Sequence, residues 1–219
     1  MIAIVLFAAG SLIIGERPGF DAGGAEVAEH LGEQRTRIQV GSAVLAAVGP
    51  LFVWFLATVT SLTRSEGPAA RRAGAVAYGC GLIFITLFLA DVTALAVGAL
   101  RPENMVAAPE LAAALRDFEF LAMGMAAFAA AGMLAACAVL ALRDEAIWPR
   151  WLGRLAALAA AAYLLRAGTL FTTEGPFAAD GLLGLYLPVA AFGAWVLLAG
   201  AGLAINARRG LTRSASPPS

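Results

Sequence analysis

Asp91 and Arg166 are the two ionisable residues that stand well inside long apolar runs of this sequence. A charge there is costly, and it marks a ligand, ion or proton pathway unless a neighbour neutralises it. Counted back at 1.5 Å per residue from segment ends near Leu100 and Thr172, the two lie roughly 14 Å and 9 Å from the same end, so they can meet. One arrangement is a polar ligand-binding pocket formed by Asp91, Arg166, Glu119 and Thr169, with Thr86, Thr93 and Thr172 adding hydrogen bonds. It suits a small polar or lipidic ligand, an ion or a proton. The other is a mutually satisfied ion pair that fixes helix register, since buried pairs give specificity more readily than stability.

The remaining chemistry is thin. General acid–base catalysis on a lipid has Asp91, Glu119 and Glu174 to draw on, but no nucleophile elbow, Gly-rich nucleotide loop or paired-aspartate motif accompanies them. All 15 basic residues are Arg, so Schiff-base chemistry on Lys is absent. His30 is the one His, and it falls in an outer loop, which argues against bis-His haem, di-iron and His-rich zinc sites in this chain. No cofactor or metal is expected. Cys80 and Cys137 fall in the inner halves of their segments and read as two small buried residues on the reducing side. Arg35 and Arg37 stand among acidic neighbours, and Glu33, four residues before Arg37, is placed to pair with it. The run from Arg166 to Phe177, followed by Gly181 and Gly184, lets backbone approach a bound group closely, although a plain helix-ending loop accounts for it as well.

The elements that must position these groups are membrane helices. Hydrophobic residues make up 61% of the chain, charged residues 14%, and the mean hydropathy is +0.82, against roughly half apolar and a quarter charged in soluble domains. The surplus forms continuous runs near the roughly 20 residues that cross a bilayer, without the alternation of barrel strands. The fold class is therefore all-α, a polytopic bundle of about six spans near 1–14, 38–63, 73–100, 118–142, 152–172 and 182–207, forming one domain over 1–210. The first run is short, which leaves the count at five or six; a start upstream of Met1 would also explain its abrupt beginning.

Nine of the 15 Arg fall in the connections after the second, fourth and sixth spans, and the opposite connections are acidic. The positive-inside rule then puts both termini in the cytoplasm. Trp148 and Trp151 suit an interfacial belt at an inner hairpin. Residues 25–34 predict a short surface helix with Val27 and Leu31 on its membrane face, and Pro109 to Arg116 a second one. Gly49-Pro50 and Pro188 predict kinks, each freeing a backbone carbonyl that needs another partner. Ala73, Ala77 and Gly81, then Ala122, Ala126 and Ala130, then the Ala-rich stretch 156–162, offer faces for close helix approach. Met123, Met125 and Met133 read as gap fillers. No transporter-like internal repeat is evident, and the tail 211–219 has no apolar face and is expected to be disordered.

The stretch Pro18-Gly-Phe-Asp, the segment Ala25-Glu-Val-Ala-Glu-His-Leu-Gly-Glu-Gln-Arg-Thr-Arg, the Trp148-Pro-Arg-Trp-Leu-Gly turn and the glycines after Arg166 resemble an uncharacterised family of small bacterial multi-pass membrane proteins. The resemblance runs over most of the chain and implies topology and a bacterial inner-membrane location, with no substrate, cofactor or catalytic residue to carry over. The expected partners are the lipid bilayer, a small molecule or lipid, and a membrane-protein partner; nucleic acid is not among them. Function reduces to binding or moving a ligand in the outer half of the bundle, as a carrier, transporter or sensor, or to a non-catalytic accessory subunit of a larger membrane complex.

Overall fold

A computed structural model describes residues 2–19, 22–64, 66–143, 148–170 and 181–214. Among them every regular element is helical: α1 (Ile2–Ile14), α2 (Gly24–Glu33), α3 (Arg35–Ala46), α4 (Val48–Leu62), α5 (Pro68–Leu100), α6 (Pro102–Ala107), α7 (Pro109–Arg143), α8 (Arg150–Arg166) and α9 (Leu187–Ser214). A 3-10 turn, Ala167–Leu170, extends α8, and a π-helical turn, Leu182–Tyr186, leads into α9. Four helical stretches are long and apolar enough to cross a membrane: Arg35–Leu62, Pro68–Leu100, Pro109–Arg143 and Leu183–Leu203. α1 is apolar but short, at 13 residues.

The break between α3 and α4 falls at Ala47, as proline sterics require. Pro50 has no N–H to give Ala46, four residues back, and its ring crowds that carbonyl. The stretch Pro109 to Arg116 is not a separate surface helix; it is the first part of α7, which runs unbroken for 35 residues. Nothing between Arg116 and Phe118 breaks a helix. The short surface helix there is instead α6, opened by Pro102 at its first position. α2 does lie as expected, with Val27, Ala28 and Leu31 buried against α5, α6 and α7.

α5, α7 and α8 form the tightly packed part of the bundle. Ala77, Ala126, Ala130, Ala156 and Ala159 are fully or almost fully buried there, so the small-residue faces read in the sequence are the interfaces. Apolar contact alone separates helices poorly from lipid tails; short side chains let backbones approach and gain dispersion instead. Gly10 and Gly41 do the same between α1 and α3. A Cβ on Gly10 would come within 2.7 Å of Leu45, and one on Gly41 within 2.5 Å of Ile14. α9 packs on α8 and reaches α4 through rings, Phe52–Phe192 at 6.2 Å and Phe55–Trp195 at 6.1 Å.

Trp148 is not an interfacial anchor. It is 1% exposed, stands edge-on to Trp195 at 5.7 Å and donates Nε1–H to Ala199 O at 3.3 Å. The indole N–H finds its acceptor in α9, which suits a buried Trp better than a wet one. Trp151 is half exposed. α9 continues to Ser214, four residues into the tail expected to be disordered; 215–219 lie outside the described residues.

Candidate functional site

The two proline positions lead directly to the site. Pro188 has no N–H for the carbonyl of Gly184, four residues back, and the π-helical turn ends just before it. The freed Gly184 O accepts a hydrogen bond from Arg166 Nη1. Arg166 is thus held by backbone of the sixth apolar segment, and its Nε is buried with no partner. The expected direct ion pair with Asp91 is not formed: the ion pairs among the described residues are Arg17–Glu119 and Arg116–Glu119.

Asp91, in α5, has no hydrogen bond or ion pair with any described residue, yet only 6% of it is exposed. Arg166 is 8% exposed, Glu119 5% and Thr169 4%. All four line one cavity of about 630 Å³, within the roughly 300–1,000 Å³ typical of small-molecule sites. Of the supporting threonines, Thr86 and Thr93 are exposed, and Thr93 returns its hydroxyl to Leu89 O at 2.7 Å; neither lines the cavity. Thr172 and Glu174 lie outside the described residues, as do all of residues 171–180.

Glu119 accepts from Arg17 Nη1 at 3.4 Å and from Arg116 Nη1 at 3.2 Å. Arg116 also donates Nη2–H to Pro18 O at 2.8 Å, tying the segment after α1 across α7. That segment starts at Gly15, whose φ of +78° and N–H bond to Ser11 O at 3.0 Å end α1 in the left-handed turn that favours glycine. Arg17 and Arg116 were missed as site residues. Arg116 had a signal, its i,i+3 spacing to Glu119; Arg17, 102 positions from Glu119 in the chain, had none.

The rest of the cavity is apolar. Ala3, Ile4 and Phe7 of α1 face Val189, Gly193 and Val196 of α9 across it, and α1 and α9 make no substantial contact of their own. Its inner part is aromatic: Phe84 stands 5.9 Å from Phe52, 5.3 Å from Phe192 and 6.3 Å from Tyr163, and Phe88 stands 6.0 Å from Phe7. Met123, read as a gap filler, lines it too. The result is an apolar trough with buried charges at one end. No protein family, no curated protein and no solved structure matches the chain.

Around the site, Arg35 and Arg37 do structural work, though not with Glu33. Arg37 donates Nε–H to Ile13 O at 2.9 Å and Arg35 donates Nη2–H to Leu100 O at 3.1 Å. Each guanidinium thus caps a helix C-terminus, of α1 and α5, where unsatisfied carbonyls and the macrodipole favour a cation. The cap at Gln34 that separates α2 from α3 turns Arg37 away from Glu33. His30, on α2, has its Nε2 buried without a partner. Partial burial holds its pKa below 6.5; Arg17 and Arg116 add to that, while Glu33 opposes it. Cys80 and Cys137 are free thiols.

Proposed function

We propose that the protein is a six-span integral membrane protein of the bacterial cytoplasmic membrane, with both termini cytoplasmic, that binds or moves an amphiphilic ligand. The tail of the ligand lies in the trough between α1 and α9, and its polar head meets Asp91, Arg166, Glu119 and Thr169. The observation that carries this reading is the pairing of one apolar, aromatic-walled cavity with two buried ionisable groups that form no ion pair with each other. Buried unpaired charges destabilise a bundle, so a site that keeps two of them facing a cavity fits a ligand that compensates them.

The six-span count rests on α1 and on α8 with its 3-10 turn acting as short crossings beside the four long ones. α8 and its turn together cover Arg150–Leu170, about 30 Å at helical rise. The orientation rests on the Arg of the connections at the ends away from α2, among them Arg64, Arg71, Arg72, Arg143 and Arg150. In that orientation the charged end of the trough faces outward, and ligand drawn from the bilayer enters sideways between α1 and α9.

The test is chemical extraction of the purified protein after exhaustive exchange into a non-lipid detergent. A stoichiometric amphiphile retained by the wild type is the expected result. Retention of no amphiphile, together with a stoichiometric co-purifying protein, would favour an accessory subunit instead.

A further inference from the structure

The charges at the end of the trough constrain the ligand more narrowly than its apolar walls do. Arg17 and Arg116 share Glu119, and Glu16 also lines the cavity, so its charged lining balances, with Glu16, Asp91 and Glu119 against Arg17, Arg116 and Arg166. Asp91 has no partner among the described residues, and Arg166 has only the carbonyl of Gly184, with its Nε still unpartnered. Both are more than nine-tenths buried and both line the cavity.

A purely anionic head would compensate Arg166 and meet Asp91 as a like charge; a purely cationic head would do the reverse. A head carrying both signs compensates both. We propose, building on the amphiphile reading above, that the ligand is a zwitterionic lipid whose protonated amine pairs with Asp91 and whose phosphate pairs with Arg166. The two guanidiniums gathered on Glu119 bias the phosphate toward the arginines, and Asp91, which accepts no hydrogen bond from a described residue, takes the amine. The cation is placed by charge-assisted hydrogen bonding to a carboxylate and the phosphate by the guanidinium fork, two geometries that do not substitute for each other.

The experiment measures binding of two single-chain probes to the delipidated full-length protein: lysophosphatidylethanolamine, and lysophosphatidylglycerol of the same chain length, which keeps the phosphate and lacks the amine. The amine-bearing probe is expected to bind at least about ten-fold tighter, the usual scale for losing a buried charge partner. Asp91→Asn should bring the ratio to about one, and Asp91→Glu should restore part of it. Because the comparison on the wild-type chain involves no substitution, it stands even if Asp91→Asn does not fold. Equal affinity for both probes, abolished by filling the trough at Gly193, would overturn the zwitterion while leaving the amphiphile site intact. Failure of both probes to bind would overturn the amphiphile reading beneath it. Free phosphoethanolamine that competes as well as the lysolipid would mean a soluble zwitterion, and would overturn the lipid.

Discussion

The α5–α7–α8 side and the α1–α9 side of this bundle are built on opposite packing rules. On the first, runs of Ala and Gly bring backbones together and leave no room: a Cβ on Gly153 of α8 would stand 2.9 Å from Ala141 Cβ, 3.0 Å from Leu142 Cγ and 3.3 Å from Ala138 O. On the second, large rings hold the helices apart, and a Cβ on Gly193 of α9 would meet nothing within 4 Å. Glycine thus has two meanings in one chain, close approach in one place and space in the other. The dry side holds the architecture, and where α5, α7 and α8 border the open side they present Asp91, Glu119 and Arg166 to the cavity.

The sharpest way to break that comparison is to enlarge a glycine on each side. Gly153→Leu should cost about 3 kcal/mol or more, since the clash includes backbone, and folded yield in detergent should fall steeply. Gly193→Phe should leave yield unchanged or raised, because removing a glycine from a helix interior gains up to about 1 kcal/mol. Equal losses would mean the two sides pack alike.

Next in size is the Arg166–Gly184 contact. Arg166→Met strands a buried carbonyl, at a cost of about 1–3 kcal/mol. Pro188→Ala supplies the missing N–H, so the double variant should recover much of the loss in thermal unfolding. Removing Asp91 together with Arg166 should give no such recovery, because the two are not an ion pair; recovery there would restore the register-fixing pair.

Arg37→Met comes third. It removes the cation at the end of α1 and should cost up to about 1 kcal/mol, read as a lower midpoint in thermal unfolding. Glu33→Gln, by comparison, should change little, and an equal effect of the two would return Arg37 to Glu33.

The smallest effect is a pH dependence. The folded pKa of His30 lies below its unfolded value of 6.5, so the unfolded chain binds the proton more readily. Stability is unaffected above about pH 6.5 and declines as pH falls through that value and toward the folded pKa. His30→Gln should flatten that part of the profile in thermal unfolding; an unchanged profile would remove His30 as its source.

Much of this was legible in the residues because it follows from local covalent facts. Pro50 set the break at Ala47, Pro188 freed Gly184 O, and the small-residue faces marked close helix contacts, although Gly81 of the α5 face meets Leu56 of α4. Asp91, Glu119, Arg166 and Thr169 were picked out by polarity inside apolar runs, and the fold gathers them at one cavity. What escaped was set by contacts distant in the chain. Arg17 joins Glu119 from a loop 102 residues away, Trp148 finds Ala199 in α9, and the gap between α1 and α9 is made by elements at opposite ends of the sequence. The fusion of Pro109 to Arg116 with α7 was missed for a different reason: charge was read as a boundary where no helix breaker stands.

The most direct test of the account is the affinity of lysophosphatidylethanolamine for the delipidated wild type and for Gly193→Phe, measured side by side on folded protein. The account predicts saturable one-to-one binding to the wild type and a loss of at least about ten-fold when the ring fills the trough. Equal binding to both proteins would contradict it, because the ligand would then sit somewhere other than between α1 and α9.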